Sequence, residues 1–213
     1  MPSTNGPFVD FDVPALRELA PHGIVRSFPK LAVVVNEGDE TDSLYVLLSG
    51  RVKVFITGED GREVVVNTIE VGDYFGELVL DGGPRSASVM ALEPCSMFVI
   101  PHVDVEGLLV ANPVFARDLI TRLIGRVRSL TEKVRDLALK DVYGRFVQFV
   151  SDNAVERDGQ LVVTERLTQH EIAARIGGSR EMVSRILRDL VAGAYIEVDA
   201  KQMRVLKKLP PHW

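Results

Sequence analysis

Between Gly23 and Ile100 short apolar runs are broken at regular intervals by turn signals: Glu37-Gly38-Asp39, Ser49-Gly50, Gly58-Glu59-Asp60-Gly61 and Val71-Gly72-Asp73. Leu44 to Leu48, Val52 to Ile56 and Val64 to Ile69 are rich in β-branched and aromatic residues, and Gly58 to Gly61 supplies a hairpin loop between the last two. Many short strands at this spacing predict an antiparallel barrel or sandwich.

After Pro113 the period changes. Ile120, Leu123, Val127, Leu130, Val134 and Leu137 alternate spacings of three and four, which is the heptad seam of one long helix able to pair with a second copy. A second stripe, Phe115, Leu119 and Ile124, predicts packing of the same helix on its own barrel. Asp141 is placed as an N-cap that interrupts the helix, ahead of a new pattern at Val142, Phe146, Val147 and Val150. Two helical patterns then meet at Ile176-Gly177-Gly178-Ser179, and Ala194 to Leu206 reads as a hairpin, together a winged helix-turn-helix. Thr168-Gln169-His170-Glu171 is a capping box for the first of these helices and Ser179 an N-cap for the second. The expected class is α+β in three segments: a β-roll over 1–112, a dimerisation helix over 113–140 and a winged helix-turn-helix over 141–213.

Charge sharpens that division. The net −5 of the chain splits into −10 for residues 1–112 and +5 for the remainder, so an anionic partner would meet the C-terminal half. No apolar run approaches the roughly 18 residues of a membrane span. Met1 to Pro14 has no basic residue ahead of its first apolar cluster, so export is not expected. The single cysteine, Cys95, excludes an intramolecular disulfide and a cysteine-rich metal site, and its alternating surroundings place it in a strand core; a reducing cytoplasm is expected. His22 and His102, the two histidines of the first segment, are each read as a surface or turn histidine. No metal is expected. No Ser-His-Asp ordering and no Walker loop supports catalysis.

Arg180, Glu181 and Arg185, with Arg188 beyond them, occupy the second helix where side chains reach base edges in the major groove. Arginine suits guanine and glutamate suits the cytosine amino group. Thr168, Gln169 and His170 start the preceding helix, where N–H groups favour phosphate. In the first segment, Phe75-Gly76-Glu77-Leu78-Val79-Leu80-Asp81-Gly82-Gly83-Pro84-Arg85-Ser86 combines tight glycines, a carboxylate and an arginine. Arginine suits phosphate and an acceptor-only carboxylate suits ribose hydroxyls, which describes a nucleotide pocket. An internal Glu77 to Arg85 ion pair across the loop is the purely structural alternative.

Gly76-Glu77 with Arg85-Ser86-Ala87, Thr131-Glu132-Lys133-Val134, and Ser179-Arg180-Glu181 with Arg185 resemble, in order and over nearly the whole length, the cyclic AMP receptor protein and fumarate-nitrate regulator family of bacterial transcription factors. The resemblance implies a homodimer that reads a pseudo-palindromic operator with half-sites similar to TGTGA, and RNA polymerase as a further partner. It implies a cyclic nucleotide such as cAMP bound at Gly76, Glu77, Leu78, Arg85 and Ser86, with Glu77 on the ribose 2′-hydroxyl and Arg85 and Ser86 on the cyclic phosphate. Leu130-Thr131 aligns with the family's Thr-Ser pair that contacts adenine, and Glu77 lies eight positions before Arg85 where nine or more is usual. A hinge near Asp141 would carry the signal to the DNA. Two alternatives stay open: a family member whose pocket answers to haem, redox state or nothing, and a nucleotide-binding module whose winged helix contacts protein.

Overall fold

A computed structural model describes residues 23–40, 42–157, 159–165, 167–199 and 202–210; Met1 to Pro14, His22 and the tail after Pro210 lie outside them. The described chain forms two compact units, one of the residues up to 56 with 66–128, the other of 57–65 with 129–210. The segment limits expected at 112/113 and 140/141 fall where helices end, whereas the packing divides inside the long helix.

The first unit is built on two four-stranded sheets. One has the order β1 (Ile24–Phe28), β8 (Cys95–Pro101), β3 (Ser43–Ser49), β6 (Tyr74–Phe75); the other has β2 (Val33–Val35), β7 (Ser88–Ala91), β4 (Val52–Thr57), β5 (Glu63–Ile69). Strand β3 pairs antiparallel with β8, Leu44 against Ile100 through Leu47 against Met97. Both strands are buried on both faces, which is why they read as unbroken apolar runs. Tyr45, Leu47, Met97, Val99 and Cys95 point into the roll with Val52, Phe75 and Val89. Leu44, Val46, Phe98 and Ile100 point the other way, onto Val105 and Leu108 of α1 (His102–Ala111) and Phe115 and Leu119 of α2 (Pro113–Leu139).

Helix α2 corrects the second stripe in one position. Phe115 and Leu119 are buried as expected, but Ile124 is 50% exposed and Leu123 takes the next place against the core. The stripe climbs in steps of four, so a residue expected in the seam completes the roll-facing side. Ile120, Val127, Leu130, Val134 and Leu137 lie between 43% and 65% exposed.

In the second unit, α3 (Val142–Asn153) starts where Asp141 accepts a hydrogen bond from the Gly144 N–H at 2.7 Å. Helices α4 (Gln169–Ile176) and α5 (Arg180–Ala192) follow. A sheet of order β11 (Ile196–Val198), β12 (Met203–Val205), β10 (Gln160–Val163), β9 (Ala154–Arg157) completes it. Phe146 and Phe149 of α3, Ile172 and Ile176 of α4 and Val183, Leu187 and Leu190 of α5 form one core with Val163 and Met203. This is a winged helix-turn-helix, with β11 and β12 as the hairpin expected over Ala194 to Leu206.

Phe146 is fully buried in that core. Replacing it with Ala is expected to cost about 3–5 kcal/mol, read as a lowered denaturant midpoint of the unfolding transition.

Candidate functional site

The glycine loop after β6 closes around Arg85. The backbone on either side is pinned, the Arg85 N–H donating to the Asp39 carbonyl at 2.9 Å and the Arg85 carbonyl accepting from the Gly38 N–H at 2.8 Å. The guanidinium, 5% exposed, donates to the Ser43 carbonyl at 2.9 Å and the Gly76 carbonyl at 3.3 Å. It faces the Tyr45 ring at 5.8 Å. Its carboxylate partner is Asp42, 3.5 Å away with a side chain 82% exposed. Gly76 has φ +87°, and a methyl there would lie 2.6 Å from Arg85 Nη1 and 2.7 Å from the Ser43 oxygen, so the guanidinium can reach its seat only beside a glycine. Ser86, next along, is exposed. Burial, and then the Asp42 charge, push the Tyr45 hydroxyl pKa up.

Glu77 begins a 3-10 turn, Glu77–Leu80, and its carboxylate does not pair with Arg85. It meets Arg126 of α2 instead, Oε2 to Nη1 at 2.6 Å, both side chains about a fifth exposed. Arg126 also donates to the Tyr74 carbonyl. One turn earlier Arg122 joins Asp73 and Asp118 and stacks over the Tyr74 ring at 4.7 Å. The structural alternative of a Glu77 to Arg85 pair is therefore replaced by two separate arrangements, a carboxylate shared with α2 and a buried guanidinium held by carbonyls. Leu78 of the turn is half-buried, whereas Leu130 and Thr131 fall in the other unit. Arg126 and Asp42 were not singled out by sequence; the legible signal for Arg126 was its place one turn after Arg122 on the roll-facing side of the helix.

In the second unit the local signals are all realised. Thr168 caps α4, its hydroxyl accepting from the Glu171 N–H at 3.2 Å while its own N–H donates to Glu171 Oε2 at 2.6 Å. Both polar groups of Thr168 are thus engaged in the cap, leaving Gln169 and the exposed His170 at the helix start. Gly177 ends α4 at φ +63°. The Ser179 hydroxyl caps α5 by accepting from the Met182 N–H at 3.2 Å. Along α5, Val183, Ile186, Leu187 and Leu190 are buried while Arg180, Glu181, Arg185 and Arg188 are exposed. Ser184, which sequence reasoning passed over, lies four residues after Arg180 on that outward side and is half-buried. The Glu181 N–H, then the Ser179 hydroxyl, hold the Glu181 carboxyl below its ordinary pKa, so it presents an acceptor at neutral pH.

Cys95 is buried, donating weakly to the Arg51 and Glu93 carbonyls, in line with a core role. His102 stands at the start of α1, 3.9 Å from Glu106. Among the described residues no group of three or more His, Cys, Asp or Glu is arranged to hold a metal ion, and no helix is long and apolar enough to cross a membrane.

Residues 25–112 match the family model of the cyclic nucleotide-binding domain, and residues 144–208 match that of the Crp-like helix-turn-helix domain. The cAMP-activated global transcriptional regulator CRP of Pasteurella multocida is 31% identical over 185 residues, covering 83% of this chain and 87% of that one. A CRP-like cAMP-activated global transcriptional regulator of Mycobacterium tuberculosis is 31% identical over 183 residues, covering 84% and 82%. Among solved structures, the c-di-GMP responsive global regulator CLP of Xanthomonas campestris superposes with a TM-score of 0.81 at 26% identity, covering 92% of this chain and all of that one.

Gly76→Ala adds a methyl that the Arg85 side chain and the Ser43 carbonyl leave no room for, at a φ that favours glycine. It is expected to lower the stability of the β-roll by about 1–3 kcal/mol, measured by urea titration of tyrosine fluorescence.

Proposed function

The chain belongs to the cyclic AMP receptor protein and fumarate-nitrate regulator family of transcription regulators, and from that membership we propose that it is a homodimer whose β-roll takes a cyclic nucleotide and thereby changes its affinity for a pseudo-palindromic operator. Its relatives are regulators of transcription and not enzymes, and its C-terminal unit is a DNA-binding domain of the Crp-like type.

The observation that carries the effector reading is the charge imbalance at Arg85. Among the described residues a guanidinium 5% exposed has carbonyl oxygens, the Tyr45 ring and one largely solvated carboxylate around it. Buried charges are normally compensated, because desolvation penalises an uncompensated one. A phosphate held by Arg85 and Ser86 would supply the missing charge in bidentate form. The ribose hydroxyls would then share Glu77 with Arg126, and Gly76 and Leu78 would line the turn beneath. By likeness to the cAMP-activated relatives, cAMP is the first candidate; the c-di-GMP responsive relative makes that dinucleotide the second.

The half-exposed seam of α2 supports the dimer. Ile120, Val127, Leu130, Val134 and Leu137 share one side at heptad spacing, the pattern that buries itself against a second identical helix. Two copies related by a two-fold axis would place their α5 helices in successive major grooves, about one helical turn apart. Arg180, Glu181 and Arg185 would read bases, Arg188 with Gln169 and His170 would meet phosphates, and Thr168 and Ser179 would act by holding the two helix starts. Leu130 and Thr131 would approach the base of the nucleotide, and RNA polymerase would be engaged by the DNA-bound dimer.

Calorimetric titration with cAMP, cGMP and c-di-GMP tests the pocket. At least one is expected to bind, with binding lost in Arg85→Ala and operator affinity changed several-fold by that ligand, since a ligand binding both states equally would regulate nothing. Binding that survives Arg85→Ala overturns the pocket assignment. For the reading head, Arg180→Ala is expected to cost about 1–3 kcal/mol and to relax discrimination at one guanine. Gel-shift assays on single-base operator variants measure it, and a loss uniform over all sequences would assign Arg180 to phosphate instead.

A further inference from the structure

Arg145, on the first turn of α3, donates to three main-chain carbonyls at the ends of two other helices. Nη1 lies 2.6 Å from the Lys140 oxygen just past the end of α2. Nε lies 2.7 Å from the Ile176 oxygen and Nη2 3.2 Å from the Gly177 oxygen, at the end of α4. The last carbonyls of a helix lack partners within it and carry the negative end of its dipole. One planar cation therefore satisfies two helix ends together, with a fork of donors that a lysine ammonium does not possess.

The two glycines of the turn lie close to both neighbouring helix ends. A methyl on Gly177 would lie 2.8 Å from Leu137 Cδ2 of α2, and one on Gly178 would lie 3.0 Å from Val142 Cγ1 of α3. The turn of the helix-turn-helix thus lies beside Leu137 in the last turn of α2 and Val142 in the first of α3. Lys140 spans the same corner, its Nζ 2.8 Å from Asp136 Oδ1 and 3.4 Å from Gln148 Oε1. Asp141, where the resemblance implies a hinge, caps α3 by accepting from the Gly144 N–H, and Arg145 bridges past it from the Lys140 carbonyl to the Ile176 carbonyl.

We propose that Arg145 is a positioning residue for operator recognition: it locks the α4–α5 turn, and with it the orientation of α5, to the end of α2. The proposal rests on the dimeric reading above, because in a dimer the last turn of α2 is the reference from which both reading heads are set. With Arg145 in place the distance and angle between two α5 helices follow from the seam. Without it each head keeps its own fold and base contacts but loses its fixed bearing.

The test uses the full chain and an operator selected by the wild-type protein from a random duplex pool. Affinities are measured for that operator, for versions with one base pair added to or removed from the spacer, and for a single half-site. One base pair turns a half-site by about 35° around the duplex. Wild type is expected to lose about ten-fold or more on either altered spacer. Arg145→Ala and Arg145→Lys are expected to lose about ten-fold on the selected operator, to differ by less than about three-fold among the spacers, and to match wild type on the half-site within about two-fold. If Arg145→Ala does not melt cooperatively, Arg145→Lys carries the comparison. Variants that keep the wild-type spacer preference overturn the proposal, as does an equal loss on the half-site, which would place Arg145 inside the reading surface. A wild-type chain indifferent to spacing overturns the dimeric reading, and this inference with it.

Discussion

Two strands buried on both faces organise the first unit. Because β3 and β8 turn Tyr45, Leu47 and Met97 inward and Leu44, Val46 and Phe98 outward, neither strand can slip by one residue without exchanging the contents of two cores. The seat of Arg85 inherits that rigidity. The Ser43 carbonyl that receives Arg85 sits at the start of β3, and Gly76 follows directly on β6, which pairs with it. The position of the buried cation is therefore fixed by the best-packed element of the unit, not by the loop that carries it in sequence.

Charge is handled differently at the two candidate sites. In the roll the cations are drawn inward, Arg85 onto carbonyls and Arg122 and Arg126 onto Asp73, Asp118 and Glu77. On α5 the arginines project into water beside a capped helix start. The first arrangement suits selectivity for one small anion, since desolvated donors penalise a ligand that fails to pair with them. The second suits a long polyanion, where solvated cations gain by releasing counterions.

What was legible in the sequence was what is local. The capping box Thr168 to Glu171, the Ser179 and Asp141 caps and the glycine turn each depend on neighbours within four residues, and each is realised. The strands with β-branched runs, β3 to β5, were legible as well. Strands β1, β2, β6 and β7 are short, and their register is set by partners far along the chain, as in Val33 against Met90, so no window of sequence reveals them. Helix α1 opens at Pro101 without a side-chain cap and left no start signal beyond the proline itself. The residue types of the glycine loop were legible, but the pairing of Glu77 with Arg126 joins positions 49 apart through tertiary packing alone. At Leu123 and Ile124 two adjacent apolar residues competed for one inward place, and only the packing of Phe115 and Leu119 decides between them.

That competition has a consequence for how such a chain can diverge. The roll-facing stripe of α2 advances by four and the seam by an average of three and a half, and the two meet at Leu123. A single insertion after that point rotates everything beyond by about 100°, turning Val127, Leu130 and Val134 together off the line that Ile120 begins while leaving Phe115 and Leu119 undisturbed. Length variation in this helix is consequently quantised: whole heptads are the increments that preserve both stripes, whereas the hairpin loop at Gly58 to Gly61 can lengthen residue by residue. Insertions and deletions among descendants of this chain should accumulate in the loops and be all but absent from the helix.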